Sequence, residues 1–259
     1  MIDLTIDARG VATLALDRAE KHNALSQELI DALTQAAADI AANDRIRVVI
    51  LAGRGQSFCA GGDLGWMRDQ MAGDVAMKRA AAYSLAQMLG ALNTLPQPIV
   101  GRIHGNAFGG GVGLACVCDV AIAADHVKFG LTETKLGLIP ATIGPYVVAR
   151  IGAARARRVF MSGRIFAAEE AVDLGIVGKA VPASDLDQAV AAEVDPYLSC
   201  APGAVAAAKS YVRTLGPVID ESVIARSIDA LVAQWGTAEA KEGISAFFER
   251  RAPPWALES

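Results

Sequence analysis

Two glycine-rich segments and one glutamate are the residues of this sequence whose types and spacing could do chemistry. The first segment, residues 57–64, reads SFCAGGDL, and the second, residues 105–113, reads GNAFGGGVG. Each follows an apolar run of strand type, so both would lie at one edge of a sheet if those strands are parallel neighbours. Glycines leave backbone N–H groups uncovered, and two such groups can bind one polarised carbonyl oxygen. The two segments therefore predict an oxyanion hole.

The glycine turn at 105–113 allows two other interpretations. A dinucleotide-binding fingerprint, G-x-G-x-x-G, needs a further glycine at 114 or 116, where Leu114 and Cys116 stand. This mismatch argues against a Rossmann oxidoreductase. The turn could instead serve only the close packing of the helix that follows it, and this alternative stays open.

Glu133 is the candidate acid or base. It lies among apolar residues and turn formers in the segment 129–140. A carboxylate in an apolar pocket has a raised pKa, which makes it usable for proton transfer near neutral pH. The competing interpretation is a capping or salt-bridged glutamate with Lys135 as its partner.

The elements that must position these residues alternate between strand and helix over the front two-thirds of the chain. The patterns predict a hairpin over 2–7 and 11–17 and a helix over 26–42, followed by a glycine-rich loop over 53–65. Further strands are predicted at 46–52, 98–103, 120–123, 127–130 and 176–181, and helices at 77–95, 114–117, 142–151, 153–162 and 167–174. Residues 183–249 are nearly all helical. This order predicts an α/β core, residues 1–190, followed by a helical C-terminal region, residues 191–259.

Composition restricts the class of protein. The chain has 259 residues, of which 53% are hydrophobic, enough for one large domain. A net charge of −4 without a long basic run argues against a nucleic-acid partner. The charged fraction of 20% is low enough to suggest surface buried in an oligomer. Neither a secretory signal pattern nor an apolar run of about 18 residues is present, so no membrane span is expected.

The cysteines favour a reducing compartment. Cys59, Cys116, Cys118 and Cys200 lack the spacing of a metal site, and no histidine stands near the Cys116–Cys118 pair in sequence. We expect reduced, buried thiols in a cytoplasmic protein without a metal.

Taken together, the motifs resemble those of the enoyl-CoA hydratase/isomerase (crotonase) family along essentially the whole chain. The matching segments are DR at 17–18 with KHNAL at 21–25, FCAGGDL at 58–64, G-x4-GG at 105–111 with CD at 118–119, FG to P at 129–140, and shorter ones at 161–164, 168–177 and 242–253. Each motif is modest alone, but their order and spacing together are specific.

The resemblance implies a crotonase-like spiral of ββα units with a helical C-terminal trimerisation region, assembled as a homotrimer or a dimer of trimers. It implies an acyl-CoA substrate, with coenzyme A as part of that substrate and no further cofactor. The backbone N–H groups of Gly62 and Gly110 would hold the thioester oxygen, and Glu133 would be catalytic. The CoA-binding region corresponds to Arg18, Lys21, Ala24, Ala60, Asp63 and Leu64. Near the tail, Phe247, Phe248 and Arg251 would cover a neighbouring subunit's site.

One position departs from the family's pattern. Hydratases of the family often carry a second glutamate on the helix after the glycines, where this chain has Gly113. Three functions then remain: a hydratase in which Glu133 makes both proton transfers, a Δ3-Δ2-enoyl-CoA isomerase, or another thioester-enolate or non-catalytic CoA-binding protein. We expect the hydratase. Residues 133–148 resemble hydratases of branched, carboxylated enoyl-CoAs such as methylglutaconyl-CoA and carboxygeranoyl-CoA, and a substrate carboxyl could occupy the space left by Gly113.

Overall fold

In the computed structural model, which describes residues 1–256, ten strands form two sheets. The six-stranded sheet has the order β1 (Ile2–Ile6), β2 (Val11–Leu16), β3 (Val48–Gly53), β5 (Ile99–Ile103), β7 (Val120–Ala124) and β10 (Lys179–Val181). β1 is antiparallel to β2, and the other neighbours are parallel. The second sheet has the order β4 (Ser57–Cys59), β6 (Asn106–Phe108), β8 (Lys128–Gly130) and β9 (Ile165–Ala167).

The chain visits the two sheets in turn. β3, β5 and β7 each pass directly to a short strand of the second sheet, and helices follow. The helices are α2 (Leu64–Ala72), α3 (Val75–Asn93), α4 (Gly110–Val117), α5 (Gly144–Phe160) and α6 (Ala168–Leu174), with a short 3₁₀ helix at Glu133–Leu136 before α5. This repeat confirms the expected spiral of ββα units.

Local chemistry explains the helix boundaries that the sequence predicts well. α1 (Gln27–Ala41) begins after Ser26, whose hydroxyl accepts the N–H of Leu29, and its apolar face is buried. The predicted break between helices at 142–151 and 153–162 is also present, because Gly152 has φ +75° inside α5. A left-handed residue cannot continue a right-handed helix, so the axis changes direction there.

The structure corrects the expected loop over 53–65. That segment contains β4 and leads into α2, neither of which the sequence analysis predicted, and the glycine turn contains β6. The remaining helices are α7 (Leu186–Leu198), α8 (Pro202–Leu215), α9 (Glu221–Trp235) and α10 (Ala238–Glu249). The division of the chain after residue 190 stays a prediction, and α7 crosses that position.

Within residues 1–256, no helix combines the length and the apolar character needed to cross a membrane. No three His, Cys, Asp or Glu side chains gather there in a way that could hold a metal ion. Of the four thiols, Cys59, Cys116 and Cys118 are buried, but Cys200 is exposed after α7, so the expectation of four buried thiols is wrong at Cys200.

Candidate active site

The three segments of the predicted site follow three neighbouring parallel strands of the second sheet. β4 pairs with β6, and β6 pairs with β8. Because parallel strands end at the same edge of a sheet, the segments that carry Gly62, Gly110 and Glu133 meet there. β3 and β5 are parallel neighbours as the sequence analysis assumed, but the short strands of the second sheet carry the loops.

Backbone pairing orients Gly62. Leu25 donates its N–H to the carbonyl oxygen of Gly61 at 2.7 Å and accepts the N–H of Asp63 at 3.0 Å. The peptide groups of the residue between them face the opposite way in such a parallel bridge. The Gly62 N–H is therefore turned away from Leu25, and Gly62 lines a cavity.

Gly110 is the first residue of α4, so its N–H has no acceptor inside the helix. A Cβ at this position would lie 2.5 Å from Leu25 Cδ1, so any larger residue would force the Leu25 side chain to move. Gly109, just before it, has φ +47° and ψ −112°, a conformation that favours glycine. Among the hydrogen bonds within residues 1–256, neither the Gly62 nor the Gly110 N–H has an acceptor.

Close packing explains another glycine of the same turn. A Cβ at Gly111 would lie 2.4 Å from the carbonyl oxygen of Cys59, so α4 approaches β4 without room for a side chain. The packing interpretation therefore holds for Gly111, and the oxyanion role of Gly110 stays a prediction.

The Glu133 carboxylate reaches the glycine turn. Its Oε1 lies 3.0 Å from where a Cβ of Gly109 would be, and its Oε2 is shielded from solvent without a hydrogen-bond partner in the described chain. Burial raises the pKa of Glu133 from 4.5 to about 7, against a smaller lowering by a backbone hydrogen bond. Glu133 and Lys135 form no ion pair within residues 1–256, so the salt-bridged interpretation is not what the structure shows.

A cavity of about 400 Å³ lies beside these three groups. Of the residues in its wall that the structure describes, Glu133 and Lys135 are the ones with ionisable side chains. Most of the others are apolar, among them Leu25, Ile30, Leu64, Met67, Leu85, Leu138, Ile139, Ile143, Leu231, Trp235 and Phe247. Such a wall suits an acyl chain, and it keeps the local dielectric low around Glu133.

The position of the missing second acid is filled. A Cβ at Gly113 would lie 2.7 Å from Ile143 Cγ2 and 3.0 Å from Ile143 Cβ. Ile143 is buried and lines the cavity. The expectation that a substrate carboxyl occupies space left by Gly113 is therefore wrong, since Ile143 occupies it.

Arg18 and Asp63, two of the expected CoA-binding residues, contact each other. The Arg18 guanidinium donates to Asp63 Oδ2 at 2.6 Å and to the Ala24 carbonyl at 3.1 Å. Asp63 Oδ1 accepts the N–H groups of Gly65 and Trp66 and so caps α2. Partial burial opposes the shift, but the Trp66 N–H and Arg18 lower the pKa of Asp63 below its ordinary value. These two residues fix the loop that carries Gly62.

Of the other four expected CoA-binding residues, two line the cavity and two lie outside its wall. Ala60 and Leu64 line the cavity. Lys21 is exposed and Ala24 is buried, and neither is in the cavity wall. Their contacts with CoA stay a prediction.

Asn23 is a residue of this loop whose role the sequence analysis missed. It is fully buried with φ +54°. Its Oδ1 accepts the Arg18 N–H, and its Nδ2 donates to the carbonyl oxygens of Arg54 and Ser57. Asparagine tolerates the left-handed region better than most residues, so Asn23 joins the loop of Arg18 to the start of β4.

The C-terminal helices cover the cavity of their own chain. Phe247 of α10 lines it together with Leu231 and Trp235 of α9. α10 packs so closely on the 3₁₀ helix that a Cβ at Gly243 would lie 2.5 Å from the Leu136 carbonyl carbon. Phe247 therefore lines the cavity of its own chain, and the expectation that Phe247, Phe248 and Arg251 cover a neighbouring subunit's site stays a prediction.

Comparisons with known proteins show the family and the fold of this chain. The family model described as "Enoyl-CoA hydratase/isomerase" matches residues 7–258. The enoyl-CoA hydratase AKT6-1 of Alternaria alternata is 33% identical over 241 residues, covering 92% of this chain and 78% of the relative. A crystal structure of an enoyl-CoA hydratase from Shewanella pealeana is 36% identical with a TM-score of 0.80, covering 98% of this chain and 95% of that one. Another, from Mycobacterium avium, is 29% identical with a TM-score of 0.85 and covers 98% of both chains.

Proposed function

The chain belongs to the enoyl-CoA hydratase/isomerase family, and we propose that it adds water across C2=C3 of an enoyl-CoA thioester with Glu133 as its acid and base. One observation carries the proposal: the Glu133 carboxylate, whose Oε2 has no hydrogen-bond partner within residues 1–256, lies against Gly109, next to a backbone N–H of Gly110 that has no acceptor there. These groups suit a reaction that develops negative charge on a thioester oxygen and moves protons beside it.

In the proposed reaction, the N–H groups of Gly62 and Gly110 bind the thioester carbonyl oxygen. Water oxygen bonds to C3 while the π electrons of C2=C3 move towards that carbonyl, which becomes an enolate. Each N–H donor contributes about 3–4 kcal/mol to stabilising this charge. One carboxylate oxygen of Glu133 takes a proton from the water, and the carboxyl then protonates C2. A pKa of about 7 lets Glu133 serve in both directions near neutral pH.

An isomerase remains the second candidate because Ile143 leaves no room for a second acid at Gly113. A single carboxylate can carry a proton between C4 and C2 without activating water. Incubation of a 2-enoyl-CoA in ¹⁸O-labelled water separates the two functions. A hydratase yields a 3-hydroxyacyl-CoA carrying the label, whereas an unlabelled product, or turnover of a 3-enoyl-CoA alone, would contradict hydration.

For the substrate class, we propose a branched, carboxylated enoyl-CoA resembling methylglutaconyl-CoA. The support is the resemblance of residues 133–148 to hydratases of such substrates and the presence of Lys135 in the cavity wall. A substrate carboxylate would need a cation, and Lys135 is the cationic side chain that the described part of the wall offers. We expect kcat/KM to be higher for methylglutaconyl-CoA than for straight-chain crotonyl-CoA, and Lys135→Met to remove this preference while Lys135→Arg retains it. Equal kcat/KM values for the two substrates would contradict the assignment.

We propose that CoA binds along the loops of Arg18, Lys21, Ala24, Ala60, Asp63 and Leu64. Lys21 is exposed and cationic, which suits a phosphate. Arg18 is engaged by Asp63, so its proposed part is to hold the loop in shape. Lys21→Ala should raise KM for the acyl-CoA and leave kcat unchanged, and an unchanged KM would contradict the phosphate contact.

We propose a homotrimer or a dimer of trimers. The support is α8, which has no buried residue within the single chain and exposes Tyr211, Val212 and Leu215 by more than 60% each. Exposed apolar patches of this kind mark interaction sites. Light scattering on the purified protein, alone and as Val212→Asp, tests this assembly, and a monomeric wild type would contradict it.

The proposal also includes coenzyme A as part of the substrate, no further cofactor, and a cytoplasmic location. The location is supported by four cysteines that form no disulfide within the described chain. Turnover by protein that has been dialysed against EDTA, without added cofactor, tests whether a further cofactor is needed. Cell fractionation tests the cytoplasmic location.

A further inference from the structure

The wall of the cavity contains three buried polar atoms without a hydrogen-bond partner in the described chain. They are Glu133 Oε2, Trp66 Nε1 and Thr142 Oγ1. A buried polar group left unpaired costs roughly 1–3 kcal/mol, so such groups in a ligand cavity indicate atoms of a ligand. The proposed reaction uses Glu133, but it leaves the other two groups without a function.

Thr142 is a buried residue of the cavity wall whose neighbour in sequence covers the position of the absent second acid. It directly precedes Ile143, whose side chain covers Gly113. Thr142 is only 4% exposed, and it lines the same cavity as Glu133. Its hydroxyl can both accept and donate a hydrogen bond, and it stays uncharged.

We propose that the Thr142 hydroxyl binds the water molecule that attacks C3 and positions it together with Glu133. This inference rests on the proposed hydratase function. The water donates one O–H to the Glu133 carboxylate and the other to Thr142 Oγ1, so a lone pair of its oxygen is directed at C3. The first proton transfers to Glu133 as the C3–O bond forms. The second O–H remains intact and becomes the product hydroxyl, and Thr142 neither gains nor loses a proton.

Trp66 is the poorer candidate for this role. An indole N–H only donates hydrogen bonds, so it cannot accept one from a nucleophilic water. The Trp66 ring also lies on the side of Gly62, with Cε3 at 3.8 Å from where a Cβ of that glycine would be. It therefore borders Gly62, whereas Thr142 directly precedes Ile143, the residue that covers the position of the second acid.

Thr142→Val removes the hydroxyl at nearly constant shape and is the first variant to test. We expect kcat for hydration to fall by about 10- to 100-fold with KM nearly unchanged, because an unoriented water reacts more slowly. Thr142→Ser should recover most of this loss. Thr34→Val is the matched control: Thr34 lies on α1, where its hydroxyl donates to the Ile30 carbonyl at 2.8 Å, and it should hydrate like the wild type.

A second measurement separates water positioning from a general distortion of the site. Glu133 can remove and return a C2 proton of butyryl-CoA in D₂O, a reaction that uses the glycine N–H groups but no attacking water. In Thr142→Val this exchange should slow far less than hydration does.

Hydration by Thr142→Val at the wild-type kcat would overturn the inference. Parallel losses of hydration and exchange would overturn it as well, since they indicate a structural role. If the wild type exchanges the C2 proton but hydrates no enoyl-CoA, the proposed function itself fails and the role of Thr142 fails with it.

Discussion

Glu133→Gln should stabilise the folded protein at alkaline pH and have little effect at acidic pH. Burial raises the pKa of Glu133 from 4.5 to about 7, so between these values the native state holds a proton that the unfolded chain has lost. The wild type therefore loses stability as pH rises through this range. A shift of this size corresponds to about 3 kcal/mol once both states are ionised. Glutamine keeps the shape but never ionises.

The assay is urea unfolding of both proteins at pH 5 and pH 8.5. The protein concentration must be equal throughout, because the stability of an oligomer depends on it. We expect a difference in unfolding free energy below about 1 kcal/mol at pH 5 and a gain of about 2–3 kcal/mol for the variant at pH 8.5. Glu169→Gln, at an exposed position on α6, is the control and should show no such gain. An equal difference at both pH values would refute the reasoning that the native environment disfavours ionisation of Glu133.

Three further predictions follow from the same contacts. The hydration rate of the wild type should rise with pH through about 7, because the ionised Glu133 accepts the proton of water; a pH profile flat from 5 to 9 would count against this. Gly113→Glu should destabilise the protein by about 1–3 kcal/mol through its clash with Ile143. Adding Ile143→Ala to this variant should relieve part of that loss. If the change in unfolding free energy of the double variant equals the sum of those of the two single variants, the two positions are not coupled. Asn23→Ala should lower the free energy of unfolding by about 2–4 kcal/mol, because it removes three hydrogen bonds and leaves their backbone partners unpaired. A loss below about 0.5 kcal/mol in urea unfolding would contradict this role of Asn23.

The features predictable from sequence were those with a long or repeated pattern. The hairpin, α1 and the break at Gly152 follow from alternation, helical spacing and one glycine. The apolar surroundings of Glu133 in the sequence likewise predicted a carboxylate in an apolar pocket, and the structure places Glu133 in the cavity wall with its Oε2 shielded from solvent.

The features that escaped the sequence analysis depend on short elements or on distant contacts. β4 and β6 have three residues each, too few to show any periodicity, yet they carry the loops of the site. The contact between Gly113 and Ile143 joins positions 30 residues apart, and no local pattern reports it. The buried Thr142 hydroxyl is visible only once the cavity wall is assembled.

The most direct test of the account measures Glu133→Gln twice, by thioester binding and by turnover. The variant should bind a saturated acyl-CoA with unchanged affinity, because the glycine N–H groups and the apolar wall remain. Its hydration rate should fall at least about a hundredfold, because no other carboxylate stands in the described part of the cavity wall. A Glu133→Gln variant that hydrates at the wild-type rate would contradict the assignment of Glu133 as the acid and base.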